Sequence, residues 1–172
     1  MVWQKKIILK SKIDAWLKIS SSLSEIIKQR ASYRVDVVNS LKKNLMENEL
    51  KEFSIFRKEK LFLREVILFA NDKPVMYART VIPRAHLRGF WDELRVLKNK
   101  PLGEIIFDNK KISRSSFTYK KLSAFNDLSQ RTCSLGIHPE QLVAARQSTF
   151  LYKRKSILLT EVFLNNFEKI NL

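Results

Sequence analysis

LFLREVILFANDKPVMYARTVIP, residues 61–83, decides how this chain is read. Two apolar runs, 61–70 and 74–83, flank Asn71, Asp72 and Lys73, which are turn residues. The stretch predicts an antiparallel β-hairpin. Each arm carries an arginine in its interior: Arg64 between Leu63 and Glu65, and Arg79 between Ala78 and Thr80. Burying a guanidinium in a sheet is costly unless an anion meets it. The two charges therefore need a reason to be there.

Side chains alternate across a strand. A two- or four-residue loop puts Arg64 opposite Val81, with Arg79 its diagonal neighbour on the same face. A three-residue loop puts the two arginines on opposite faces. On a shared face they repel unless an anion lies between them. ILLTEVFL, 157–164, supplies one carboxylate, Glu161, among aliphatic residues. Arg64, Arg79 and Glu161 therefore form either an internal ion network or the lining of a pocket for a small carboxylic acid. Arginine's planar donors suit such a ligand.

The rest of the chain predicts an α+β protein, one antiparallel sheet with helices packed against it. SSSLSEIIKQR, 20–30, places Glu25 three residues after Ser22, the spacing of a helix N-terminal capping box. YRVDVV, 33–38, alternates like a strand. Residues 40–60 are strongly charged and carry no clear period. Leu87, Phe90, Trp91, Leu94 and Leu97 fall on one helical face. In PLGEIIF, 101–107, Pro101 suits a helix start, which leaves backbone N–H groups without acceptors. SSSL before EIIKQR offers similar donors near Leu23. SSFTYKKLSAF, 115–125, reads as a strand. RQSTFLY and SILLTEVFL form a second hairpin through Lys153, Arg154 and Lys155.

Composition narrows the function classes. The 172 residues, 45% hydrophobic, suffice for one core, and a single domain over 1–172 is expected. Thirty-three basic residues against 17 acidic give a net charge of +16. They are spread along the chain rather than gathered in one arm, which reads as a solvated surface, so no nucleic-acid partner is expected. No apolar run is long enough for a membrane span, and MVWQKKIILKSK is not a secretory signal. Cys133 is the single cysteine, and His86 and His138 sit in no metal-binding pattern. A reducing, cytoplasmic setting without metal is expected. Trp3, Trp16 and Trp91 read as packing residues.

LREVILFANDKPVMYARTVIP, PLGEIIF, ARQSTF and ILLTEVFL, in this order and spacing, resemble the chorismate lyase family. The resemblance runs from DAWL near residue 14 to VFL at 162–164. It implies an antiparallel sheet of about six strands with helices on its flank. It also implies conversion of chorismate to 4-hydroxybenzoate and pyruvate for ubiquinone biosynthesis, with no cofactor, by a monomer. Residue by residue, the family's carboxylate-binding arginine matches Arg64, a second active-site arginine matches Arg79, and the glutamate near the ring hydroxyl matches Glu161. The backbone groups that hold the product carboxylate match Leu23 and Leu102. Gln147 stands where members commonly carry a second arginine after Arg146, Asn165 stands where proline is usual, and 40–60 matches poorly.

On this resemblance Arg64 takes the ring carboxylate, with backbone N–H groups near Leu23 and Leu102. Arg79 faces the enolpyruvyl carboxylate or ether oxygen. Glu161 holds the ring hydroxyl, either as general base or only to orient the ring. Two other readings stand beside this one: a non-catalytic domain of the same fold that senses a small carboxylate, and a chorismatase making a different hydroxybenzoate.

Overall fold

A computed structural model describes residues 2–9, 11–38, 45–55 and 60–170. Its elements are α1 (Ile13–Leu17), α2 (Leu23–Lys28), β1 (Tyr33–Val38), α3 (Glu47–Glu52), β2 (Leu61–Ala70), β3 (Lys73–Pro83), α4 (Gly103–Ile106), β4 (Ser113–Arg114), β5 (Thr118–Lys121), α5 (Asp127–Cys133), β6 (Leu142–Tyr152) and β7 (Lys155–Leu164). The seven strands make one antiparallel sheet in the order β1-β2-β3-β7-β6-β4, with β5 also paired to β6.

β3 lies inside the sheet and is buried along almost its whole length. Both faces of the sheet are covered, which is why that strand reads as a nearly continuous apolar run rather than an alternating one. On one face α1 and α2 bring Ile13, Trp16, Leu17, Leu23 and Ile27 onto Val66, Leu68 and Met76. Beside them, Leu87, Trp91, Leu94 and the α4 isoleucines pack with Ile82, Phe150 and Ile157. On the other face, Met46 and Leu128 pack with Tyr77 and Val162. Helices thus flank the sheet on both sides.

The first hairpin corrects the expected register. Asn71 and Asp72 form a two-residue turn, both with positive φ (48° and 59°), and Ala70 pairs with Lys73. Such a turn matches the twist of the flanking strands. Phe69 then pairs with Pro74, but Leu68 pairs with Met76. Val75 is the extra residue of a β-bulge, beside a proline that has no N–H to give the ladder. The bulge shifts every later pair by one, so Arg64 lies opposite Thr80, neither the expected Val81 nor the Arg79 that an unbulged two-residue hairpin would give, and Arg79 lies opposite Glu65. Arg64 and Arg79 therefore occupy opposite faces.

Three other expectations change in detail. Residues 89–95 wind as a 3₁₀ segment, not an α-helix, and Trp91, Leu94 and Leu97 recur every third residue toward the core. The stretch 115–125 pairs only at 118–121, after the two-residue β4. Within 40–60, α3 forms, while residues 40–44 and 56–59 lie outside the described residues. Ser22 caps α2 as expected, its hydroxyl accepting from the Glu25 N–H at 3.3 Å.

Candidate active site

The register lines up two cross-sheet rows on the α1–α2–α4 face. One row runs Arg64, Thr80, Leu159, Ser148 across β2, β3, β7 and β6. The next runs Val66, Ala78, Glu161, Arg146. These rows floor a cavity that Leu23 and the neighbouring serines roof from α2, and that Leu102, Gly103 and Ile106 close from α4. Counted out to its mouth, open solvent included, it holds about 580 Å³ of non-atom space.

Arg64 enters from β2. Its Nη2 donates to the carbonyls of Lys98 and Lys100, each at 2.8 Å. Among the described residues no carboxylate bonds to it. Burial works against its charge and lowers its pKa to about 10. An anion in the cavity would relieve that cost.

Glu161 lies across β6–β7 from Arg146. Arg146 clamps it through both carboxylate oxygens, Nε to Oε2 at 2.6 Å and Nη2 to Oε1 at 3.1 Å. The remaining Arg146 nitrogen, Nη1, donates to the Leu17 and Ile19 carbonyls at 3.1 and 2.6 Å. One guanidinium thus ties the end of α1 to the cavity carboxylate, in the bidentate geometry that fixes orientation best.

Arg114 reaches the same carboxylate from the edge strand β4, with Nη2 at 3.5 Å from Glu161 Oε2. Its Nε donates to Ser148 Oγ at 2.9 Å and its Nη1 to the Ser20 carbonyl at 3.0 Å. Its guanidinium lies over the Phe117 and Phe150 rings, 4.1 and 4.7 Å from the centroids. Burial lowers its pKa to about 10; the pull of Glu161 opposes that shift and the like charge of Arg146 adds to it.

Of the residues singled out from sequence, Leu23, Arg64, Leu102 and Glu161 come together around this cavity. Leu23 opens α2 and Leu102 immediately precedes α4, positions whose N–H groups have no acceptor inside a helix. Arg79 does not join them. It is buried on the opposite face, where Nη2 donates to Glu49 Oε2 at 2.8 Å and Nη1 to Glu65 Oε1 at 3.3 Å. Glu65 also accepts from Arg131, at 2.9 and 2.7 Å, and from the Tyr77 hydroxyl. Burial opposes the Arg79 charge, but Tyr77, Glu49 and Glu65 overcome it and hold the pKa above its ordinary value.

Arg146 and Arg114 are the site residues that sequence reasoning missed. Arg146 was within reach of it. Lys153 and Arg154 form a two-residue turn with positive φ, and counting back from Tyr152↔Lys155 sets Arg146 opposite Glu161. Nothing local in SRSSF marks Arg114, because its approach depends on a two-residue strand at the sheet edge. Among the described residues no cluster of His, Cys, Asp or Glu could hold a metal ion, and no helix is long and apolar enough to cross a membrane.

Residues 1–171 match the sequence model of the chorismate lyase family. A probable chorismate pyruvate-lyase from Nitrosospira multiformis is 38% identical over 152 residues, 87% of this chain and 84% of the relative. One of the same name from Nitrosomonas eutropha is 35% identical over 151 residues, again 87% and 84%. In fold, the chain is similar to the effector domain of PhnF from Mycobacterium smegmatis, with a TM-score of 0.56 and 13% identity over 85% of this chain and 90% of that one. A PhnF C-terminal domain gives 0.54 at 10% identity, over 94% and 95%. The structural likenesses concern fold alone. The chain belongs to the chorismate lyase family, a family of carbon–oxygen lyases.

Proposed function

We propose that this chain eliminates pyruvate from chorismate to release 4-hydroxybenzoate, for ubiquinone biosynthesis. The charge of the cavity carries the proposal. Its lining holds three cations, Arg64, Arg114 and Arg146, against one anion, Glu161, a net charge of +2. Chorismate is a ring dicarboxylate, so substrate and cavity neutralise one another. The wall is otherwise largely apolar, with Val66, Leu68, Met76, Ala78, Ile106 and Leu159 against the ring.

Arg64 binds the ring carboxylate, helped by the N–H groups at Leu23 and Leu102. Glu161, held still by Arg146, accepts from the ring hydroxyl across the ring. In the reaction the ether C–O bond breaks with its electron pair going to oxygen. The hydrogen on the hydroxyl-bearing carbon leaves as a proton, the ring becomes aromatic, and the enol gains a proton at its methylene carbon to become pyruvate. No outside oxidant or energy source is needed. The chain contributes selection, orientation and stabilisation of developing charge. Glu161 is assigned to orientation, since both of its oxygens already serve Arg146.

The test is incubation of purified protein with chorismate, without added metal or cofactor, followed by chromatographic identification of products. Equal amounts of 4-hydroxybenzoate and pyruvate, absent with Arg64→Ala, are expected. Chorismate that binds and persists would make the domain a sensor. A different hydroxybenzoate would make it a chorismatase of changed regiochemistry.

A further inference from the structure

We propose that Arg114 receives the second, enolpyruvyl carboxylate of the substrate and stabilises that fragment as it leaves. This deepens the lyase reading and rests on it.

The chemistry of the ring fixes where the second carboxylate must emerge. The hydroxyl-bearing carbon lies across the ring from the ring carboxylate, and the ether carbon is next to it. With the ring carboxylate on Arg64 and the hydroxyl on Glu161, the enolpyruvyl group projects beside Glu161, away from Arg64. Arg64 and Ser148 sit at the two ends of one cross-sheet row. Three strand spacings put their Cα atoms about 14 Å apart. Arg114 is tethered to the Ser148 end through its Nε. The two arginines therefore approach from opposite ends of the same row, with Thr80 and Leu159 as the floor between them.

Two cations border Glu161, and Arg114 has more donors left to give than Arg146. Arg146 bonds Glu161 through Nε and Nη2 and the end of α1 through Nη1. These bonds, with Nη1 also meeting the Leu17 carbonyl, take four of its five N–H donors. Arg114 spends Nε on Ser148 and Nη1 on Ser20, but its Nη2 stands 3.5 Å from Glu161 Oε2. That exceeds the range of a good N–H···O bond, about 2.7–3.2 Å. Nη2 belongs to a guanidinium that lines the cavity and is held over the Phe117 and Phe150 rings. It is aimed before substrate arrives, which is what electrostatic stabilisation of a transition state requires. As the C–O bond breaks, charge shifts onto the ether oxygen and the attached enol-carboxylate, the fragment beside Nη2. Arg79, the other candidate for this task, is on the far face.

The experiment compares wild type, Arg114→Gln, Arg114→Lys and Arg64→Ala. The readouts are kcat/KM for chorismate, the inhibition constant of 4-hydroxybenzoate, and the melting temperature. 4-Hydroxybenzoate has the ring carboxylate and hydroxyl but lacks the second carboxylate. Arg114→Gln is expected to lose kcat/KM by about 10- to 100-fold, the loss of one charge-assisted hydrogen bond, while 4-hydroxybenzoate binds within threefold of wild type. Arg114→Lys, which keeps the charge, recovers part of the loss, and Arg64→Ala weakens both ligands. Equal weakening of both ligands in Arg114→Gln would make Arg114 a structural tether and overturn the proposal, as would kcat/KM within threefold of wild type. Should Arg114→Gln fail to fold, Arg114→Lys decides alone: a loss confined to chorismate supports the proposal, and an unchanged or uniform effect overturns it. If wild type binds chorismate without turning it over, the lyase reading fails by itself. Calorimetric binding of chorismate against 4-hydroxybenzoate then judges Arg114 by the same selectivity.

Discussion

Arg64 and Arg79 belong to one hairpin yet face opposite sides of its sheet, Arg64 paired with Thr80 and Arg79 with Glu65. Each sits where its own chemistry is satisfied. Arg64 has backbone acceptors and a cavity, whereas Arg79 has Glu49, Glu65 and Tyr77. The first predicts function and the second stability. Arg79→Ala leaves two buried carboxylates short of a partner. Breaking such a pair costs about 3–5 kcal/mol, read as a lower urea midpoint, while affinity for 4-hydroxybenzoate in the folded fraction stays within a few-fold of wild type. Loss of affinity without loss of stability would contradict this division.

The same cluster sets acid sensitivity. Burial opposes the Glu65 charge, but the bonds from Arg131 and Tyr77 and the nearby Arg79 outweigh it, and its pKa falls below the ordinary value of 4.5. A carboxylate depressed on folding stabilises the fold above its unfolded pKa, and that stability is lost as pH falls through the folded pKa. Denaturation midpoints measured from pH 6 down to pH 3 should therefore drop below about pH 4.5. Glu65→Gln should be weaker at pH 7 and show a flatter slope in the acid range. An unchanged slope would assign the acid sensitivity elsewhere.

Glu161→Gln separates orientation from proton transfer. A lost general base costs about 10²–10⁴ in rate. If Glu161 only orients the ring, kcat falls less than 10²-fold, although stability drops because Arg146 is left without its carboxylate. A larger fall in kcat with unchanged 4-hydroxybenzoate affinity would make Glu161 the base.

Gly103 is where α4 meets α2 over the cavity. A Cβ there would lie 2.6 Å from Ser22 Oγ. The hydroxyl can turn away only by giving up its bond to the Glu25 N–H. Gly103→Ala should therefore cost about 1 kcal/mol, as for a lost cap, and raise KM by loosening the roof formed by Leu23 and Leu102. A melting temperature and KM equal to wild type would show that the contact relaxes freely.

Much of this was legible in the chain, for identifiable reasons. Asn71-Asp72 announces its turn because those residues tolerate positive φ, and Ser22 announces a cap through its spacing to Glu25. The bulge at Val75 was hidden, since nothing in KPVM fixes where an extra residue is placed. Counting on from Ala70↔Lys73 without it would set Arg79 directly opposite Arg64. One residue of slip therefore reassigns a charge from the site to the opposite core. Glu161 was visible as a lone carboxylate among aliphatics, while its true partner, Arg146, required the second hairpin's register rather than the first's.

The most direct measurement follows chorismate, 4-hydroxybenzoate and pyruvate together in one reaction, for wild type, Arg64→Ala and Arg79→Ala at a temperature where all three are folded. The account predicts that wild type and Arg79→Ala convert chorismate to both products in equal amounts, and that Arg64→Ala leaves it intact. An active Arg64→Ala, or an Arg79→Ala that is folded but inert, would contradict the placement of the reaction on the Arg64 face of the sheet.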